Sequence, residues 1–234
     1  MVWGARHTTH SQGFSRPQKA LFTIPIQKIS STREEVMTLY PSIGIVSCSS
    51  RDDALARREF VWPLQRSISF PSSIIPLKKL SLSKAKKFDA LIFSGTSLAD
   101  NDFLSHAKNL SWITSLDIPL IGVCAGHELL GKIFGGKITH SASPAIGLLP
   151  VSLNVRAFHL NGLSGNFPSK ISAYHLNQNT VSLPKGFVSL AKSSKNAHEI
   201  TLHSQKRILS FQFHPEFNHS FLLDWSLNSL LRTE

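Results

Sequence analysis

Acidic side chains are scarce in this sequence, 14 Asp and Glu against 25 Lys and Arg, which leaves a formal net charge of +11. Cysteine is scarcer still: Cys48 and Cys124 are the only two. So few thiols exclude a disulfide-stapled secreted scaffold, and neither one reads as half of a structural bridge. They fit a reducing compartment, so a cytoplasmic location is expected. Apolar runs reach about nine residues, well short of the roughly 20 that a membrane-spanning helix needs, so no membrane partner is expected. There is no internal repeat. No Cys/His cluster has metal-ligand spacing, and neither a metal nor a cofactor is expected.

The excess positive charge is unevenly placed. Arg6, Arg16, Lys19, Lys28 and Arg33 fall in the first 33 residues with no acid among them, so five of the eleven charges lie there. Residues 1–40 are also rich in Ser, Thr and His, a composition like that of an organelle transit segment, so an organelle is the alternative location if this extension is a transit signal. Pro17 and Pro25 interrupt any amphipathic helix. A disordered basic extension is expected, ahead of a single domain over residues 41–234; alternatively Met37 is the natural start. A basic chain invites a nucleic-acid reading. No recognisable module interleaves aromatic with basic residues, however, and nucleic-acid binding is not expected.

From Ser42 onward, strands and helices alternate. Ile43 to Cys48 reads as a buried strand, and Asp52-Asp53 as the start of a helix that Pro63 ends. Ser67 to Phe70 is a possible second strand. Pro71 to Lys87 reads as a connection with a short helix, Asp89 to Ser94 as a strand running into Gly95, and Asp100 to Leu116 as a helix. The alternation implies an α/β domain, a three-layer sandwich with a mainly parallel central sheet and its site at the carboxyl ends of the strands. After Lys137 the segments become β-rich and are expected to extend the sheet and form a small antiparallel layer beside it. His219 to Leu231 reads as an amphipathic helix.

The stretch from Ile118 to Gly136 carries the chemistry. Pro119 to Val123 is short and apolar enough to be a buried strand, while Leu129, Leu130, Ile133 and Phe134 recur at helical spacing. Cys124 therefore sits on a sharp strand-to-helix turn, with Gly122 and Gly126 two residues to either side. A helix starting at Ala125 offers free N–H groups, which favour a thiolate. The plainer alternative is a tight connection with cysteine as a small apolar residue.

Near the C-terminus, Pro215 restricts itself and His214 to extended or turn geometry. In an extended segment Glu216 reaches one nitrogen of the His214 ring while the other faces elsewhere. A carboxylate that orients an imidazole beside a thiol is the arrangement of a nucleophilic enzyme.

Gly122-Val123-Cys124-Ala125-Gly126-His127-Glu128 resembles the G-x-C-x-G-[HM]-Q elbow of class I (triad-type) glutamine amidotransferases, and Phe213-His214-Pro215-Glu216 resembles that family's F-H-P-E segment. The two motifs lie in the family's order and spacing, and the resemblance runs from about Ile43 to Leu231. It implies a flavodoxin-like glutaminase domain in which Cys124, His214 and Glu216 release ammonia from glutamine through a γ-glutamyl thioester. It further implies that a separate synthetase subunit receives the ammonia, on the pattern of GMP synthase and anthranilate synthase. A free-standing γ-glutamyl hydrolase and a non-catalytic binding relative are the alternatives.

Further site residues follow from the same resemblance. Backbone N–H groups of Ala125 and Gly95 are expected to bind an oxyanion. The family's S-G-G-P stands here as Ser94-Gly95-Thr96-Ser97, and a plain turn glycine is the alternative for Gly95. Tyr174 and His175 match a segment that seats the α-amino and carboxylate groups of glutamine; a strand histidine satisfied in place is the other reading of His175. Glu128 replaces the family's substrate-contacting Gln. An ionised glutamate only accepts hydrogen bonds, so it would favour the substrate's ammonium and repel its carboxylate. Otherwise it is a solvent-facing carboxylate on the helix.

Overall fold

A computed structural model describes residues 40–51, 54–163 and 165–232. The extension expected over residues 1–40 lies outside the described residues except for Tyr40, and so do Asp52 and Asp53. The strands are β1 (Ile43–Ser47), β2 (Ser72–Pro76), β3 (Ala90–Phe93), β4 (Leu120–Val123), β5 (Ile138–Leu153), β6 (Lys170–Val181), β7 (Phe187–Lys192), β8 (Ile200–His203) and β9 (Ile208–Phe211). The helices are α1 (Ala54–Ala56, continued by a π turn at Arg57–Val61 and by Trp62–Ser67), α2 (Leu82–Ala85), α3 (Ala125–Ile133), α4 (Val155–Leu160), α5 (Pro215–Asn218) and α6 (Ser220–Leu231).

The nine strands of the described residues join one sheet in the order β2-β1-β3-β4-β9-β8-β7-β5-β6. The pairings from β2 to β9 are parallel, and those from β9 to β6 are antiparallel. The sheet is thus mixed in equal parts, where a mainly parallel one was expected, and the antiparallel strands continue it instead of forming a separate layer. The reason is β9: the last strand in sequence among the described residues enters beside β4, and β8, β7 and β5 extend from its other edge by antiparallel pairing.

The parallel strands β1, β3 and β4 are buried along their whole length, which is why they read as unbroken apolar runs. Ile43 and Ile45 point to one face with Val61 and Leu64 of α1 and Leu223 and Leu227 of α6. Val46, Leu91 and Phe93 point to the other, against Ala85 of α2 and Leu129 and Leu130 of α3. Helices therefore cover both faces of the parallel half.

Three local expectations are revised. Pro63 does not end α1: it follows a wide π turn in which Trp62 N–H donates to Arg57 O, and it occupies the first turn of the next helical piece, where no N–H is needed. The helix consequently runs to Ser67, and the second strand begins at Ser72 rather than at Ser67. The helix expected over 100–116 is a pair of 3₁₀ segments, Asp102–Ala107 and Ser111–Ser115. Its buried residues Ala107, Leu110, Ile113 and Leu116 recur every third position, the period of a 3₁₀ turn. The final helix forms as expected, but Phe221 faces solvent at 55% exposure.

Candidate active site

Three neighbouring strands end at one rim of the sheet. β3 runs into Ser94-Gly95, β4 into Cys124, and β9 into Gln212-Phe213-His214. Since β4 lies between the other two, residues far apart in sequence meet around its last residue.

Cys124 has φ +51° and ψ −106°, and it is the only non-glycine residue with positive φ among the described residues. Such a backbone costs on the order of 1–3 kcal/mol and persists only when its surroundings hold it. Here Cys124 N–H donates to Phe211 O at 2.8 Å, and Cys124 O accepts from Glu128 N–H at 3.0 Å as α3 begins. The two flanking glycines are required sterically. A Cβ on Gly126 would lie 2.2 Å from Phe93 O, and one on Gly122 would lie 2.7 Å from Gly126 O. The cysteine therefore occupies an elbow rather than a plain tight connection.

His214 is fixed by its backbone N–H donating to Tyr174 O at 2.8 Å. Its Nδ1 donates to Glu216 Oε1 at 2.8 Å, with both side chains fully buried. The route to this contact differs from the expected extended one: Pro215 occupies the first turn of α5, and that helical turn brings the carboxylate back to the ring. His214 Nε2 is buried without a hydrogen-bond partner among the described residues. Gly95 packs against both groups, since a Cβ there would lie 2.6 Å from His214 Cε1 and 3.5 Å from Cys124 Cβ. A turn requirement does not explain this glycine; the ring does.

Electrostatics couple the three side chains. Burial pushes the Cys124 thiol up, and the His214 charge opposes it. The helix N-terminus alone therefore does not give a free thiolate. Burial disfavours a charged His214, but Glu216 and Cys124 outweigh it and raise the ring well above its ordinary value. The Cys124 thiol donates to Leu176 O at 3.6 Å.

A cavity of about 20 Å³ lies against Cys124, bordered by Thr96, Asp100, Ala125, Glu128 and Asn177 among others. Glu128 is 3% exposed, so it is not a solvent-facing helix carboxylate. Its oxygens accept from Asn179 Nδ2 at 2.9 Å and from Gln212 Nε2 at 3.2 Å. Burial pushes this carboxyl up, and the two amides partly offset the effect. Thr96 donates its hydroxyl to Asp100 Oδ2 at 3.0 Å, and Ser50 N–H donates to the same oxygen at 2.7 Å, which closes the loop after Gly95. Although burial disfavours the Asp100 anion, these donors hold it below the usual carboxylate range. Outside the cavity lies a cleft of about 720 Å³ that shares Ser97, Leu98 and Leu176 with it and is walled by Tyr174 and Phe217, with Arg58, Glu59 and Arg66 also in its lining.

Not every expected residue reaches the site. Tyr174 does, with its ring centroid 6.4 Å from that of His214. His175 points to the opposite face of β6 and is fully buried: Nδ1 contacts Ala173 O at 2.9 Å, and Nε2 contacts Glu199 Oε2 at 3.1 Å. It is a histidine satisfied within the core, because alternation along a strand sends neighbours 174 and 175 to different faces. Asp100, Asn177, Asn179 and Gln212 were missed. The signal for two of them is Asn177-Gln178-Asn179, an amide-rich run that continues an apolar strand. Among the described residues, no group of three or more His, Cys, Asp or Glu side chains could hold a metal ion.

Comparison with known proteins points the same way. The family model of glutamine amidotransferase class-I matches residues 64–222. A glutamine-hydrolyzing GMP synthase subunit of Sulfurisphaera tokodaii is 34% identical over 137 residues, covering 58% of this chain and 71% of that protein. The protein of the same description from Pyrococcus abyssi is 30% identical over 162 residues, covering 68% and 84%. Among solved structures, a glutamine amidotransferase from Thermotoga maritima superposes with a TM-score of 0.63 at 14% identity, over 83% of this chain and 99% of that one, a likeness of fold.

Proposed function

The chain belongs to the class-I glutamine amidotransferase family, and from that premise we propose that it hydrolyses the carboxamide of glutamine with Cys124 as nucleophile. The observation that carries this reading is the strained elbow of Cys124 beside the buried His214–Glu216 pair.

In the proposed reaction the thiol proton passes to His214 Nε2, and Sγ attacks the carboxamide carbon. Glu216 favours the step because it stabilises the imidazolium that forms. The oxyanion is bound by backbone N–H groups of Ala125 and Gly95; the absence of a side chain at Gly95 lets its backbone approach both the ring and the substrate. The C–N bond then breaks and His214 gives its proton to the departing ammonia. A γ-glutamyl thioester remains on Cys124. Water attacks that thioester with His214 as base, and glutamate and the free thiol are the products. Ammonia passes to a separate synthetase subunit of the GMP synthase type, a reading supported by the description of the curated relatives as one subunit of that enzyme. The order β2-β1-β3-β4-β9 supports a flavodoxin-like reading of the parallel half.

Steady-state release of glutamate from glutamine, with Cys124→Ala as control, tests the proposal. Wild-type turnover, and a γ-glutamyl adduct on the Cys124 peptide by mass spectrometry after rapid acid quench, are expected. Turnover that survives Cys124→Ala would refute the assigned nucleophile.

A further inference from the structure

The charged side chains that line the cavity beside Cys124 are all acidic. Two carboxylates, Asp100 and Glu128, border it, and among the described residues no Lys or Arg does. Glu128 has no ion-pair partner among the described residues. Asn179 and Gln212 occupy one acceptor position on each of its oxygens and leave the remaining lone pairs free. Two further acceptors in the same lining, Asn177 Oδ1 and Asp100 Oδ1, are buried with no hydrogen-bond partner among the described residues. Asn177 is 5% exposed, and its amide nitrogen is already committed to Asn179 O at 3.1 Å, which fixes its oxygen as the free end.

A buried acceptor left unpaired costs about 1–3 kcal/mol, and a buried anion without a counter-charge costs more. A ligand that supplies donors and positive charge removes both penalties. An anionic group would add to them. The cavity volume of about 20 Å³ matches one water-sized group, and an ammonium is of that size.

We infer that this cavity receives the ammonium of an amino-carboxamide, with Glu128 and Asn177 as its partners, so that the cavity selects for that positive charge and against a free carboxylate. The inference rests on the glutaminase reading for its placement next to the reacting carboxamide. It goes further by naming Glu128 as the specificity-determining group. Burial pushes the Glu128 carboxyl up, and Asn179, Gln212 and the charge of His140 offset it only in part, so a cationic ligand would further favour the carboxylate.

Two truncated glutamines separate the charges: 4-aminobutanamide keeps the ammonium and lacks the carboxylate, and 4-carbamoylbutanoate does the reverse. With the wild-type protein, kcat/KM for 4-aminobutanamide should exceed that for 4-carbamoylbutanoate by at least about 100-fold, the scale on which unpaired polar groups reject a ligand. Calorimetric titration of Cys124→Ala, which leaves the proposed ammonium contacts in place, should give the same order of affinity. In Glu128→Gln the preference should shrink to about tenfold or less, with 4-carbamoylbutanoate improved in absolute terms. Equal or better handling of 4-carbamoylbutanoate, binding of neither compound to Cys124→Ala, or an unchanged ratio in Glu128→Gln overturns the inference. If the wild type hydrolyses neither compound and not glutamine, yet Cys124→Ala still prefers the ammonium compound, the glutaminase reading falls while the charge selection stands.

Discussion

His214 Nδ1 lies 2.8 Å from Glu216 Oε1, and neither side chain is exposed to solvent. That bond, together with the neighbouring Cys124, opposes the burial that disfavours a charged ring. Removing the carboxylate charge by Glu216→Gln takes away one of the two partners that oppose burial, which disfavours the imidazolium, and leaves Cys124 alone to oppose it. The titration of the His214 ring, followed by NMR, should therefore move down, and kcat for glutamine should fall by about 10²–10⁴-fold. An unmoved ring titration would show that Glu216 is not what holds the proton there.

Gly95→Ala places a methyl group where 2.6 Å separates it from His214 Cε1. The ring must shift or rotate, and a displacement on the ångström scale costs about 100-fold in rate. The expected pattern is a large loss in kcat with little change in KM and a thermal midpoint close to wild type. A kcat within about twofold of wild type would mean that ring position is not critical.

His127, on the helix that follows the nucleophile, is bonded through Nδ1 to Ser210 Oγ at 2.8 Å, and burial lowers its pKa to about 3. An unfolded histidine titrates near 6.5, so between those values the unfolded chain holds the additional proton. Stability is then complete above about pH 6.5 and is lost as the pH falls toward 3, with a slope of at most about 1.4 kcal/mol per pH unit. Urea denaturation at several pH values should show this slope in wild type and a shallower one in His127→Asn. Identical slopes would refute the assignment.

Glu128 presents the opposite sign. Its folded pKa is raised above the ordinary value of 4.5, chiefly by burial, so the fold favours the protonated form and ionisation destabilises it as the pH rises. Glu128→Gln removes that penalty, and Gln212 Oε1, unpaired among the described residues, offers an acceptor to the new amide if its own amide turns over. The variant should be more stable than wild type by about 1 kcal/mol at about pH 8 and equal to it near pH 4 by chemical denaturation. Lower stability at the higher pH would indicate that the carboxylate is already compensated by its two amides.

The sequence made the rim of the sheet legible because the chemistry there imposes narrow rules. Gly122 and Gly126 are dictated by contacts with backbone atoms, and Pro215 by the turn that follows β9. Such requirements survive in the one-dimensional pattern. The mixed sheet did not, since parallel and antiparallel central strands bury the same apolar residues; only the position of β9 between β4 and β8 distinguishes them. Pro63 misled because a π turn ahead of it removes its usual effect. His175 misled because a motif match does not say which way a strand residue faces, and Glu199, 24 positions away, is what holds it. The acceptor lining depends on long-range pairs such as Gln212 with Glu128, 84 residues apart, which no local spacing announces.

The placement of β9 has a consequence for biogenesis. Its slot beside β4 borders strands made both long before it and immediately before it, so the imidazole reaches the sulfur only after β5 to β8 have also been made. A nascent polypeptide on the ribosome thus displays the cysteine long before it acquires the histidine beside it. On the proposed role of His214 as the base, a polypeptide released before β9 is made would lack that base and release no ammonia.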